Sequence, residues 1–301
     1  MRVFYKVLLA FATAASLTSC ATVGRFLSAS SEKSDISAEE LSSKWNPKGT
    51  LVDVSHKTSV KGPSARRMLV YLPKGYYEHP EKRYPVLYVL HGARGNETSW
   101  IQEGHIIALT DSLIAQRKVH PFIIVMPNMN QYNDDKDFAN SRFKRPAESF
   151  IETNGAVETG FMKDVVGTVD SLFRTMPDKE HRAIAGLSIG GLQAIHLSAN
   201  HPFSFDAIAL LSPMHKAFIA LSDYNDFYRG LKEKQQVQFS IPPRLYSIYI
   251  GKKDIFYFNV EYYRKYLHWN DFPFQYTEIR GGHEWKCWRI FYEMFVQDCF
   301  K

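Results

Sequence analysis

The chain reads as an α/β protein on a doubly wound, mostly parallel sheet, and three observations predict it. From residue 86 onward, short apolar β-runs alternate with helical segments, the pattern that parallel strands with helical crossovers produce. Two runs of alternating polarity, 51–54 and 65–72, precede them and fit antiparallel edge strands. At 301 residues and 45% hydrophobic content, the chain can bury one core without dividing it.

The N-terminus stands apart from that domain. Arg2 and Lys6 flank an apolar stretch, 7–17, too short to span a bilayer as a mature helix and shaped like a secretory signal. Leu17-Thr-Ser-Cys20 then resembles a bacterial lipoprotein cleavage box. Residues 1–19 are therefore expected to be a signal peptide, with Cys20 lipidated and its acyl chains anchoring the protein to a membrane surface of the bacterial cell envelope. Residues 20–48, with seven serines between 28 and 43, read as a flexible tether, and residues 49–301 as the single α/β domain.

Within the domain, strands are expected at 86–90, 123–126, 183–185, 207–211, 245–250 and 274–279. Helices are expected near 106–116, 161–173, 192–200, 260–269 and 288–295. Ligands of such sheets bind beyond the carboxyl ends of the strands, and the chemistry-bearing motifs fall there.

The sharpest motif is His181-Arg-Ala-Ile-Ala-Gly-Leu-Ser-Ile-Gly-Gly191. It is a G-x-S-x-G pattern leading from a β-run into a helix, where a strained turn holds the serine outward at a helix N-terminus. Gly186 and Gly190 remove the Cβ atoms that a sharp strand-to-helix reversal would crowd. The Ile189 N–H and the helix dipole favour charge developing on an attacked carbonyl oxygen. A serine hydroxyl needs a base. Ile279-Arg-Gly-Gly-His283-Glu-Trp285 places His283 on the loop after the last strand, and Asp254, just past the 245–250 strand, can orient it. The order Ser188, Asp254, His283 is that of the α/β-hydrolases. Glu261 and Asp271 are the competing acids; the first falls inside a helix and the second at the opposite end of the sheet. After the 86–90 strand, His91-Gly92-Ala93-Arg94-Gly95 offers small residues and the Ala93 N–H as the second half of an oxyanion hole. His91 itself reads as structural.

These residues carry a resemblance. HGARGNETSW (91–100), FIIVMPNMN (122–130), HRAIAGLSIGG (181–191), GKKD (251–254) and GGHEWKCW (281–288) resemble the putative-esterase family. That family contains feruloyl and acetylxylan esterases, S-formylglutathione hydrolases, enterobactin esterases and mycolyltransferases. The resemblance runs from about Arg66 to the C-terminus and implies an α/β-hydrolase without a large cap domain, hydrolysing esters on carbohydrates. Two segments, 128–156 and 213–243, are longer and more divergent, so substrate identity does not carry over. Their aromatic residues, Tyr132, Phe138, Phe143 and Phe150 in the first and Tyr224, Phe227 and Tyr228 with His215 in the second, suit stacking on a sugar or phenolic group and equally suit the loops' own small cores.

Composition narrows the rest. The formal charge of +6 falls to +4 when Arg2 and Lys6 leave with residues 1–19 (35 basic against 31 acidic), and the basic residues are scattered along the sequence without the stripe of a nucleic-acid surface. Asn133-Asp-Asp-Lys-Asp137 lacks the spacing and glycine of a calcium loop, and the histidines show no metal-ligand spacing, so neither a metal nor a cofactor is expected. Cys287 and Cys299 would lie about 18 Å apart on one terminal helix, beyond disulfide reach, and read as packing residues. The leading expectation is a serine esterase working through an acyl-enzyme. An acyltransferase of the same fold and a non-catalytic glycan-binding lipoprotein are the alternatives.

Overall fold

A computed structural model describes residues 36–60, 62, 64–130, 155–215 and 225–301. Its centre is an eight-stranded sheet: β1 (Thr50–Lys57), β2 (Ala65–Leu72), β3 (Val86–Leu90), β4 (Ile123–Pro127), β5 (Arg182–Leu187), β6 (Ala207–Leu211), β7 (Leu245–Gly251) and β8 (Gln275–Ile279), in spatial order β1-β2-β4-β3-β5-β6-β7-β8. β2 runs antiparallel to both β1 and β4, and every pair from β4 to β8 is parallel. The expected doubly wound sheet with antiparallel edge strands is therefore present.

Strand alternation divides the core into two layers. On one face Val70, Val86, Tyr88, Val125, Ile184, Ile208 and Ile248 are fully buried against the helices α6 (Ile189–Asn200) and α8 (Tyr257–Trp269). On the other, Leu69, Leu87, Val89, Ile124, Ala183, Ala209 and Leu211 pack against α3 (Ile106–Ala115) and α9 (Trp285–Val296). Both faces are covered, which is why β3 and β7 read as continuous apolar runs and not as alternating ones. α9 contributes Trp288, Phe291, Tyr292 and Phe295, one buried stripe at helical spacing.

The tether expected over 20–48 is corrected at its C-terminal end. Residues 38–45 form α1 (Ala38–Trp45), closed by a capping box: the Glu40 N–H donates to Ser37 Oγ at 3.2 Å, and the Ser37 N–H donates to Glu40 Oε2 at 2.9 Å. Leu41 is wholly buried in the second layer. One serine of the serine-rich stretch is a helix cap; composition alone hid it. Residues 1–35, which include the signal segment, Cys20 and most of the remaining tether, lie outside the described residues.

Segment 213–243 is likewise not a continuous loop. It contains a 3-10 turn, Asn225–Phe227, and α7 (Leu231–Ser240), and Phe227 and Tyr228 belong to the first core layer. Tyr132, Phe138, Phe143, Phe150 and Tyr224, and the Asn133–Asp137 run, lie outside the described residues. The helix expected at 161–173 begins earlier, as α4 (Ala156–Phe161), and continues through a π turn (Met162–Val166) into α5 (Gly167–Leu172). A short helix, α2 (Ser99–Gln102), was not expected. Cys287 and Cys299 are free and buried, as packing residues should be.

Candidate active site

β5 ends at Leu187 and α6 begins at Ile189, so Ser188 occupies the single residue between strand and helix. Its backbone sits at φ 57°, ψ −117°, a region that costs a non-glycine residue about 1–3 kcal/mol and persists only where the surroundings enforce it. Here they do. The Ser188 N–H donates to the Leu211 carbonyl at the end of β6, and the Ser188 carbonyl accepts from Gly191 and Met214. A Cβ on Gly186 would overlap the main chain of Gly190, and one on Gly190 would lie 2.5 Å from the carbonyl oxygens of Leu90 and His91. The reversal is thus pressed directly onto the end of β3, and only glycine allows it.

His283 Nε2 lies 3.0 Å from Ser188 Oγ. Its Nδ1 lies 3.0 and 3.1 Å from the two oxygens of Asp254, whose side chain is wholly buried. The Phe256 N–H also donates to Asp254 Oδ1 at 2.8 Å, holding the carboxylate in place. A carboxylate at Nδ1 selects the tautomer with its proton there and leaves the Nε2 lone pair facing the serine hydroxyl. The arrangement can therefore take a proton from Ser188 and later return it. Glu261, the competing acid, is on α8 and bonds Arg264 and Tyr276; Asp271 precedes β8 at the far end of the sheet.

Two residues at this site had no reading from sequence. Phe256 and Trp288 stand edge-on against the His283 ring, with centroids 4.9 and 4.8 Å away, and the Trp288 indole N–H donates to Ser212 Oγ at 3.1 Å. Both leave the ring little room to rotate. The only sequence signal was proximity, Phe256 two residues past the acid and Trp288 five past the histidine.

The 91–95 loop lies against the elbow: a Cβ on Gly92 would stand 2.6 Å from Leu187 Cδ1 and 3.4 Å from Ser188 Cβ. Ala93 follows directly. Ile189 opens α6, in the first turn where N–H groups have no intrahelical partner. His91 is structural, as expected. Its Nε2 accepts from the Met129 N–H at 2.9 Å and its Nδ1 donates to the Gly92 carbonyl at 2.8 Å. Burial holds the ring neutral, its pKa lowered to about 4. Beneath the loop, buried Glu97 bonds Asn128 at 2.8 Å and Arg67 at 2.7 Å. Burial still pushes its carboxyl above the usual range. Asn130 donates to the Gly95 carbonyl at 2.8 Å, so polar contacts tie the loop to the segment after β4 at two points. Among the described residues, no three His, Cys, Asp or Glu side chains are placed to hold a metal ion.

The family model described as "Putative esterase" matches residues 59–292. The chain belongs to that family. A protein from Xylanibacter ruminicola named endo-1,4-beta-xylanase/feruloyl esterase is 40% identical over 147 residues, 48% of this chain and 19% of that protein. Endo-1,4-beta-xylanase Y of Acetivibrio thermocellus is 25% identical over 160 residues, 52% of this chain and 13% of that one. The matched stretch is thus a small part of each of these much longer relatives. Among solved structures, a ferulic acid esterase superposes with a TM-score of 0.65 at 24% identity, covering 82% of this chain and 96% of that one. The ferulic acid esterase of Anaeromyces mucronatus, solved with ferulic acid, gives 0.65 at 18%, covering 90% and 94%. These likenesses show the α/β-hydrolase fold, with no large cap domain among the described residues.

Proposed function

We propose that the protein is a serine esterase that hydrolyses carboxylic esters on carbohydrates, of the acetyl or feruloyl type. The observation that carries this reading is the unbroken chain of contacts from Ser188 Oγ through His283 to buried Asp254, 3.0 Å at each link. In the proposed reaction Ser188 attacks the ester carbonyl while His283 Nε2 takes its proton. Asp254 holds the imidazole and stabilises the imidazolium that forms. The N–H groups of Ala93 and Ile189 receive the charge gathering on the carbonyl oxygen, the kind of contact that contributes several kcal/mol. The imidazolium then gives its proton to the departing sugar alkoxide, leaving an acyl-enzyme. A water, deprotonated by His283, attacks that ester and releases the acid and Ser188. The strain at Ser188 serves this chemistry by fixing the hydroxyl outward before substrate arrives.

The carbohydrate part of the reading draws support from the Xylanibacter ruminicola relative, whose name pairs xylanase with feruloyl esterase. Acetylated and feruloylated oligosaccharides presented to the purified protein test it. Release of acetate or ferulate by the wild type and not by Ser188→Ala is expected; inertness of the wild type towards both series would overturn the substrate class. We further propose, from Leu17-Thr-Ser-Cys20, that the mature chain is anchored by lipid on Cys20, outside the cytoplasmic membrane. Cys20→Ala should then move the protein from the membrane fraction to the soluble fraction, and retention in the membrane fraction would refute it.

A further inference from the structure

The end of the sheet opposite Ser188 holds a cavity of about 780 Å³, within the size range of small-molecule sites. The segments that enter the parallel strands make its walls. Arg83, Tyr84 and Pro85 lead into β3, His120 and Pro121 into β4, Glu180 and His181 into β5, Asp206 into β6 and Arg244 into β7. Five lysine or arginine side chains line it, Lys74, Lys82, Arg83, Arg244 and Lys301, against two carboxylates, Glu180 and Asp206. That surplus of three positive charges is half the formal charge of the chain. Basic residues that looked scattered along the sequence are gathered by the fold into one concavity.

The five cations are not equivalent. Arg244 pairs with Asp206 at 3.2 Å and Lys301 with Asp298 at 2.5 Å. Lys74, Lys82 and Arg83 have no carboxylate partner among the described residues, and the Arg83 guanidinium is steadied by donating to the Thr175 carbonyl at 3.0 Å. Beneath this rim the walls are apolar, with Ile114, Pro121, Met176 and Phe300 beside buried Tyr84. Glu180 lines the cavity without an ion pair among the described residues, so the three unpaired cations outnumber the free lining carboxylate by two; an anion seated among them relieves their remaining repulsion while gaining charge-assisted hydrogen bonds. A bare inorganic ion would engage the rim alone. An ion with an apolar body would also cover the floor.

We propose that this cavity is a second binding site, for a small organic anion whose carboxylate or phosphate meets Lys74, Lys82 and Arg83 and whose apolar body rests on the floor around Tyr84 and Met176. It stands at the amino ends of the strands, where this class of sheet does not place its reaction centre, and it does not depend on what Ser188 does.

Titration calorimetry of the full chain tests it with four probes: benzoate, its neutral counterpart benzyl alcohol, inorganic phosphate, and phosphatidylglycerol vesicles. The expected result is one saturable benzoate site, with binding of benzyl alcohol and phosphate at least about tenfold weaker. A Lys82→Ala/Arg83→Ala variant should lose benzoate affinity by about tenfold or more, the Lys82→Arg/Arg83→Lys variant should keep it, and both should hydrolyse a simple ester at the wild-type rate. Benzoate binding that survives the alanine variant would place the ligand elsewhere and overturn the proposal. Equal affinity for benzyl alcohol would overturn the role of charge. Tight association with vesicles without a soluble benzoate site would make this face a lipid-headgroup contact and overturn the small-molecule reading.

Discussion

The two ends of the parallel sheet use polar groups in opposite ways. At the carboxyl end Ser188, His283 and Asp254 touch one another, with Ser188 and Asp254 buried and His283 partly so, and are held by a strained backbone and by two aromatic rings set against the imidazole. At the amino end Lys74, Lys82 and Arg83 stand at an open rim and gain their effect from proximity without contact. A reaction centre needs angles and distances fixed to fractions of an ångström, which buried hydrogen bonds supply. An anion cradle needs only a local excess of charge, which exposed side chains supply cheaply. The contrast predicts that substitutions at the first end change rates by orders of magnitude, whereas those at the second change affinity for an anion and leave the reaction alone.

The sharpest way to break that contrast is Ser188→Ala. Loss of turnover by about six orders of magnitude is expected, as for other triad nucleophiles, with an unfolding midpoint close to wild type, because the elbow rests on glycines and main-chain bonds. Near-normal turnover would remove Ser188 from the reaction. Asp254→Asn should cost about four orders of magnitude in turnover through the wrong histidine tautomer, while Glu261→Gln leaves the rate within a factor of two or so. The reverse ranking in steady-state kinetics would move the acid to Glu261.

A third substitution probes the scaffold. Gly190→Ala drives a methyl group against the main chain at the end of β3, where no flexible side chain can yield. A loss of about 1–3 kcal/mol in urea unfolding is expected, together with a drop in turnover as the elbow shifts. A stable, fully active variant would show that the close packing of α6 on β3 is dispensable.

The last test concerns pH and leaves the covalent structure untouched. Burial lowers the pKa of His91 to about 4 and that of His196 to about 3, whereas in the unfolded chain both titrate near 6.5. Below 6.5 the unfolded state binds more protons than the native one, so stability falls as pH falls. Between pH 7 and pH 5 each ring should cost about 2 kcal/mol, visible as a lower urea midpoint at unchanged slope. A pH-independent midpoint over that interval would mean that both rings take up protons in the folded protein much as they do in the unfolded chain.

Local grammar made much of the fold legible. β3 and β6 fall on the expected residues, and most other strands lie within a residue or two of them, because short apolar runs bounded by turn residues leave little choice of boundary. α1 was missed because seven serines suggested disorder, although Ser37 and Glu40 form a capping box at the three-residue spacing that box requires. α7 was missed because its lysines and glutamines show no apolar stripe. The 213–243 aromatics suited ligand stacking and a small core equally; Phe227 and Tyr228 are core, a distinction of burial that residue type does not encode.

By itself the sequence determined the covalent pattern of the site. G-x-S-x-G between a strand and a helix, an acid past one strand and a histidine past the next are each fixed by neighbours a few residues away. Only the tertiary structure decided what depends on distant segments meeting. It set the 3.0 Å contacts among residues 188, 254 and 283, the aromatic edges on His283, the His91 link to Met129 and the gathering of cations at the amino end. Those depend on strand order. A parallel sheet lays the starts of β3, β4, β5, β6 and β7 side by side whatever their separation along the chain, and no local pattern in the sequence records which ends will be neighbours.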